Sequence, residues 1–180
     1  MFKKIVRYYA NKRLFRSYQS LKRIARIKTF SNSKSVGILW NPVDEGSIET
    51  FEFLRKALQV KGIKSTGIAH IDSNREMETL NTISHSGFLH RQNVKWFGRP
   101  KTSAGLQFIE EPFDILIDLT IFKTIALQYI LVHSKSTFKV GWENGEPNFY
   151  DLNIDVSERP QCRYLMEQIV YYLENIHEKG

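Results

Sequence analysis

The chain has 180 residues, of which 42% are hydrophobic and 25% charged, values typical of a soluble globular domain with an extension. A single cysteine, Cys162, excludes an internal disulfide framework and suits a reducing compartment, and no apolar run approaches the roughly 20 residues of a membrane-spanning helix. The basic start lacks the apolar core of a secretory signal, so we expect a cytoplasmic protein.

The net charge of +7 is concentrated at the start of the chain. Residues 1–30 hold ten basic side chains and no acidic one, and the first acid is Asp44. The other 150 residues carry 16 basic and 19 acidic side chains, a net of −3. This asymmetry indicates a basic segment joined to a mildly acidic body.

Residues 2–28 lack Pro and Gly and are rich in helix formers, so we predict a basic amphipathic helical arm over residues 1–30. The apolar residues fall on two stripes that do not line up. This pattern predicts either two short helices that break near Asn11 or one helix whose partner surface changes along its length. Residues 31–35 are predicted to link the arm to a single domain over residues 36–180.

The first part of the domain reads as a βαβ unit. Residues 36–40 are predicted as a strand and residues 48–60 as a helix with Ser47 as N-cap. Lys61 and Gly62 end that helix, and residues 64–71 form the next strand. Residues 75–84 are predicted as a short helix, residues 93–98 as a strand, and residues 99–105 as a loop.

The stretch that organises the chain is residues 113–120, an apolar run with Asp114 and Asp118, which predicts a strand buried on both faces. A helix over 121–133, strands over 137–141 and 150–156, and a helix over 161–176 follow. Strands that alternate with helices predict an α/β three-layer sandwich with a mostly parallel sheet of about five to six strands, preceded by a basic N-terminal helical extension.

Basic side chains interleaved with Tyr8, Tyr9, Phe15 and Tyr18 suit RNA, because cations neutralise phosphates and aromatic rings stack on unpaired bases. An anionic membrane surface, a cleaved transit peptide, a protein partner, or a packed helix with a solvated basic face would explain the same composition. The predicted nucleic-acid-binding residues are Lys3, Lys4, Arg7, Lys12, Arg13, Arg16, Lys22, Arg23, Arg26 and Lys28.

A second candidate site lies where the strands are predicted to end. Asp118 and Asp155 are expected at the carboxyl ends of their strands, where open α/β sheets bind ligands, and Thr120 and Asn41 would lie nearby. Two carboxylates there could hold Mg²⁺ against a phosphate. The structural alternative is that Asp118 and Asp155 stabilise turns or helix starts. Otherwise no metal spacing, catalytic motif or dinucleotide-binding glycine pattern is present, and we expect no cofactor.

Three runs of the sequence carry a family resemblance: residues 113–120 (FDILIDLT), 138–141 (FKVG) and 150–156 (YDLNIDV). With these runs the whole chain, its basic start included, resembles a family of small uncharacterised bacterial proteins defined only as a domain of unknown function. That family implies no activity. Residues 113–141 also resemble the acceptor-side half of heptosyltransferase-like glycosyltransferases, which would imply a transferase.

The sequence favours a non-catalytic RNA- or ribosome-associated binding module that uses the basic arm. The alternatives are a small Mg²⁺-dependent enzyme or binder of a phosphate-bearing ligand at Asp118 and Asp155, and an adaptor that docks on a membrane surface or a protein.

Overall fold

The computed structural model describes residues 2–72, 80, 83–143, 145 and 147–176, with side chains from residue 4 onward. Within these ranges the chain forms five α-helices: α1 (Phe2–Ser20), α2 (Ser47–Val60), α3 (Ser103–Glu110), α4 (Ile125–His133) and α5 (Cys162–Asn175). Six strands accompany them: β1 (Ser35–Trp40), β2 (Lys64–Ile71), β3 (Ser86–His90), β4 (Ile115–Asp118), β5 (Phe138–Gly141) and β6 (Leu152–Asn153).

All six strands form one parallel sheet in the order β3-β2-β1-β4-β5-β6. The predicted α/β class with a parallel sheet is therefore confirmed. The strand order reverses between β1 and β4, where Leu39 lies between Ile68 and Asp118 in register. In open α/β sheets the carboxyl ends of the two strands at such a reversal form a crevice that commonly binds ligands.

Alternate residues of the strands fill two separate cores. On one face Val36, Ile38 and Trp40 pack with Ile115 and Ile117 beneath α2 and α5. On the other face Leu39, Ile68 and Leu116 pack beneath α3 and α4. Helices on both faces of a central sheet make the three-layer sandwich that the sequence predicts.

Helix α1 lies outside these layers and packs on α4. Ala10 and Leu14 are buried, and Leu14 belongs to the core on the α4 side of the sheet. Burial of a leucine side chain contributes roughly 1.5–3 kcal/mol, so α1 is held by more than its charges. None of the helices in the described ranges is long and apolar enough to cross a bilayer.

Several predicted boundaries need correction. Of residues 2–28, only Phe2–Ser20 are helical, in one helix without a break at Asn11; irregular chain and a 3₁₀ turn at Phe30–Asn32 follow. The strand expected over residues 150–156 is reduced to Leu152–Asn153. Before it, the Asp151 carboxylate accepts a hydrogen bond from the Lys139 N–H of β5 in place of a backbone carbonyl, and after it the Asp155 carboxylate accepts one from the Ser157 N–H in a turn. Helix α4 begins at Ile125, where the Thr124 hydroxyl accepts a hydrogen bond from the Leu127 N–H.

The largest error concerns residues 84–110. The strand predicted at residues 93–98 is wrong. The edge strand that follows β2 is Ser86–His90, and Val94 and Pro100 form only an isolated antiparallel bridge. Helix α3 was missed, although Thr102 caps it by accepting a hydrogen bond from Gly105 N–H. Most of the short helix predicted at residues 75–84 lies outside the described residues.

Candidate functional site

The outward side of α1 carries basic residues beside aromatic rings. Since Ala10 and Leu14 face the domain, the opposite side of the helix is left to solvent. No acidic residue occurs in α1, and the Tyr8 side chain is 62% exposed. The exposed residues on this side are Lys4, Ile5, Tyr8, Tyr9, Lys12, Phe15 and Arg16. Positive charge and accessible rings therefore share one surface, which we call the α1 outer face.

Two of the predicted binding residues instead attach the arm to the domain. Arg23 forms an ion pair with Asp151 and donates a hydrogen bond to the Thr137 carbonyl oxygen at 2.9 Å. Lys28 forms an ion pair with Asp114 at 3.0 Å. Burial alone would raise the pKa of Asp114, but hydrogen bonds from the Lys34 N–H and Lys28 outweigh it and lower the pKa. These pairs fix the segment that follows α1 to the start of the sheet.

The other predicted binding residues keep their charge exposed, apart from Lys3, whose side chain lies outside the described part. Each is solvent-exposed, and none forms an ion pair with an acidic side chain that the structure describes. The seven are Lys4, Arg7, Lys12, Arg13, Arg16, Lys22 and Arg26. Apart from Arg23 and Lys28, the basic segment is therefore an accessible positive surface that the acidic side chains in the described ranges do not pair with.

Asp118 lies at the carboxyl end of β4, where both of its carboxylate oxygens accept two hydrogen bonds each. Its Oδ1 accepts hydrogen bonds from the Thr120 N–H at 2.9 Å and the Thr120 hydroxyl at 2.6 Å. Its Oδ2 accepts from the Lys123 Nζ at 3.2 Å and the Tyr150 hydroxyl at 2.7 Å. The Lys123 ammonium occupies the place where a cation would bind Asp118, so this carboxylate already has its counter-ion.

Tyr150 reaches Asp118 because β5 ends in a glycine. A Cβ atom on Gly141 would lie 2.5 Å from the Tyr150 ring, so only glycine lets the ring cross β5 there. Burial, followed by the negative charge of Asp118, raises the pKa of Tyr150 well above its ordinary value. Tyr150 therefore stays a neutral hydrogen-bond donor, which is a structural role.

Hydrogen bonds join the loops after β1 and β4, the two strands between which the strand order reverses. The Asn41 Nδ2 donates to the Phe122 carbonyl oxygen at 2.9 Å, and the Asp44 carboxylate accepts from the N–H groups of Ile121 and Phe122 at 2.8 and 3.1 Å. Burial raises the pKa of Asp44. The predicted Asn41 therefore braces a loop, and its amide is already engaged.

Asp155 lies elsewhere. It is exposed, and its Oδ1 accepts a hydrogen bond from the Ser157 N–H at 2.8 Å, while none of the Asp118 partners contacts it. The structure thus brings Asp118, Thr120 and the Asn41 loop together and leaves Asp155 apart. Both Asp118 and Asp155 stabilise turns, which is the structural alternative stated above. Cys162 is buried, and burial raises the pKa of its thiol.

Sequence reasoning missed Asp44, Lys123 and Tyr150. Asp44 could have been noticed three residues beyond Asn41, but the roles of the other two depend on contacts that no local pattern encodes. Lys123 also borders a cavity of about 320 Å³ between α1 and the strand ends. Its lining includes Arg7, Gln128 and Asn11, whose Oδ1 is buried with no hydrogen-bond partner in the part of the chain that the structure describes.

Comparison with known proteins gives one match. The family model described as a family of unknown function, DUF6913, matches residues 3–176. No curated protein and no solved structure matches the chain, so neither relates it to glycosyltransferases. The match includes the basic start as well as the domain, as the sequence resemblance predicts.

Proposed function

Since the chain belongs to the family of unknown function DUF6913, we propose its function from its own surface: a non-catalytic module that binds RNA, free or within a ribosome. The α1 outer face and the exposed cations of residues 22–26 would make the contact. The domain would hold this surface in a defined orientation through Leu14 and the ion pairs of Arg23 and Lys28.

The observation that supports the proposal is the exposure of seven basic side chains that form no ion pair with any described acid, on a segment that has no acid of its own. Each Lys or Arg that meets a phosphate releases condensed counter-ions, which supplies sequence-independent affinity. Tyr8, Tyr9 and Phe15 add accessible rings, on which unpaired bases can stack. The chain offers no motif for reading a duplex major groove, so single-stranded or irregular RNA is the favoured partner.

An anionic membrane is a weaker partner for this surface. A helix that lies on a bilayer needs a continuous apolar face, and the apolar residues Ala10 and Leu14 of α1 already pack against the domain. Charged and apolar side chains alternate on the outward side instead. Exposed aliphatic side chains occur at Ile5 on this side and in the stretch around Ile24, which is 80% exposed, and basic residues separate them.

The test removes charge without removing the helix. Deletion of residues 1–30 would expose the core around Leu14, so a triple variant, Lys4→Gln, Lys12→Gln and Arg16→Gln, is the cleaner perturbation. Binding of a short fluorescent single-stranded RNA to the full chain is measured by anisotropy. The control is Lys56→Gln, which removes an exposed charge from α2 on the opposite face of the sheet.

We expect the triple variant to bind RNA much more weakly and the Lys56 variant to match the unmodified protein. Equal binding by all three proteins, or binding by none, would refute the proposal. Flotation with vesicles that contain anionic lipid is the parallel assay. Flotation of the unmodified protein without RNA binding would assign the surface to a membrane instead.

One observation favours a second candidate, a small polar or phosphate-bearing ligand. The cavity beside α1 has an acceptor, the Asn11 Oδ1, that finds no hydrogen-bond partner among the described residues. Two cations, Arg7 and Lys123, border the cavity together with the Glu143 carboxylate. Nucleoside monophosphates and inorganic phosphate are the probes, with thermal unfolding as the readout. Stabilisation that is lost in Asn11→Leu would support this site, and no stabilisation by either probe would dismiss it.

A further inference from the structure

A rigid loop beside α1 displays a tryptophan. Val94 and Pro100 form an antiparallel bridge, the Lys95 N–H donates to the Arg99 carbonyl oxygen at 2.9 Å, and the Gly98 N–H donates to the Lys95 carbonyl oxygen at 2.8 Å. We call residues 94–101 the Trp96 loop. Gly98 has a φ of +97°, and a Cβ there would lie 2.4 Å from the Ile125 carbonyl oxygen. This close approach anchors the loop to the start of α4.

The Trp96 side chain is 57% exposed at the tip of this loop. The other two tryptophans behave differently: Trp40 is fully buried, and Trp142 is 8% exposed. The large apolar surface of this ring is exposed to water, and a binding partner could bury it. The rigidity of the loop means that little conformational entropy would be lost on binding.

The loop lies in a second acid-free stretch of the chain. Residues 79–109 contain four basic residues and no Asp or Glu. Lys95, Arg99 and Lys101 are exposed, and none of them forms an ion pair with an acid in the described ranges. Positive charge is therefore not confined to residues 1–30, a signal that is visible in the sequence.

The two basic stretches meet in space. The Arg13 guanidinium of α1 lies over the Phe97 ring, 4.1 Å from its centroid, and the Phe97 ring packs edge-on against Trp96 with centroids 5.4 Å apart. Continuous side-chain contacts therefore run from Arg13 on the helix through Phe97 to Trp96 on the loop. A chain of phosphates that follows the basic residues of α1 would reach the loop cations next.

We propose that the Trp96 loop is a base-stacking platform for single-stranded nucleic acid. An unpaired base would lie on the Trp96 ring, while Lys95, Arg99 and the neighbouring Arg13 would contact the flanking phosphates. This combination of a ring with surrounding cations is how proteins bind single strands without reading their sequence. The inference rests on the proposed RNA-binding function. It adds that the bound RNA is single-stranded and that stacking on Trp96 is the contact that favours single strands.

The test uses the exposed ring as its own reporter. Because Trp40 and Trp142 are buried, quenching of tryptophan emission by oligouridylate would come mainly from Trp96. The full chain is compared with Trp96→Ala, which removes the ring, and with Trp96→Phe, which keeps a stacking ring. Because both variants lack the reporter, the affinities of all the proteins are measured by the anisotropy of fluorescently labelled oligouridylate. Tyr171→Ala is the control, since this exposed aromatic residue lies on α5 at the opposite face of the sheet.

We expect saturable quenching in the unmodified protein and in the Tyr171 control. Trp96→Ala should bind the oligonucleotide roughly tenfold more weakly, a typical loss for one stacked base, whereas Trp96→Phe should retain most of the affinity. Lys95→Gln with Arg99→Gln should weaken binding without abolishing the quenching at saturation.

The outcomes separate this inference from the function on which it rests. If the protein binds RNA through α1 but Trp96→Ala binds equally well and the emission does not change, the stacking platform is wrong and the RNA-binding function stands. Tighter binding to duplex than to single strands would overturn the platform as well. Absence of any RNA binding, or a response of Trp96 only to anionic vesicles, would overturn both.

Discussion

The strongest quantitative consequence of the exposed arm is the salt dependence of RNA binding. For single strands, log Kobs falls with log [salt] at a slope of roughly −0.7 per neutralised phosphate. Seven exposed cations in residues 4–26 set an upper limit of about −5 for the arm. Between about 50 and about 200 mM salt that slope lowers the affinity roughly a thousandfold.

The triple substitution Lys4→Gln, Lys12→Gln and Arg16→Gln leaves four of these cations. The slope should fall by about 2 units, to about −3, and the same salt interval should then cost only about 50-fold in affinity. Anisotropy titrations of the same single-stranded RNA at five or so salt concentrations give both slopes. A charge-conserving control, Lys4→Arg, Lys12→Arg and Arg16→Lys, should reproduce the slope of the unmodified protein.

Three results would refute this reasoning. If the neutralised variant keeps the full slope, its three positions do not contact phosphate, whatever the affinity. If the unmodified protein binds RNA with a slope near zero, the contact is not electrostatic, and the exposure of the arm cations is irrelevant to it. A loss of slope in the charge-conserving control would mean that side-chain shape matters more than charge.

Two further predictions concern stability. Burial lowers the pKa of Lys139 to about 7, so between pH 7 and 10 the unfolded chain binds the additional proton and the free energy of unfolding should rise with pH. Urea unfolding measures the free energy of unfolding of this protein and of Lys139→Met. From pH 7.5 to 9.5 the value for the unmodified protein should rise by about 2–3 kcal/mol relative to that of the variant. A difference in free energy between the two proteins that stays constant with pH would contradict this prediction. Lys123→Met leaves the buried Asp118 carboxylate without its cation and should cost about 3–5 kcal/mol. Lys56→Met serves as the surface control, and a cost for Lys123→Met as small as that of the control would show that the network is not needed.

The main elements could be read from local sequence because their signals are local. The predicted strand at residues 64–71 coincides with β2, and the apolar run around residues 115–118 is β4. Parallel strands buried on both faces need continuous apolar residues, and such runs can be recognised without knowing which strands lie beside them. The polar edge strand Ser86–His90 carries no such run, and its pairing with β2 is what makes it a strand.

The candidate sites were less accessible to sequence reasoning. The paired aspartates suggested a joint site, yet Asp118 is closed by Lys123 and Tyr150, and Asp155 stabilises its own turn. The sequence spacing places both side chains near strand ends but cannot state which polar groups surround them. A carboxylate with its bonds satisfied and a carboxylate open to a ligand look the same in a sequence.

By itself the sequence determined the α/β class and the two acid-free basic stretches, because strand runs, helical spacing and charge are properties of neighbouring residues. Only the tertiary structure decided which charges are exposed: Arg23 pairs with Asp151, 128 residues away, whereas Arg16 is solvent-exposed and pairs with no acid in the described ranges. It also decided that α1 and the Trp96 loop share one surface. Contacts between distant residues depend on how the layers pack, and packing assigns each side chain its partner or leaves it to solvent.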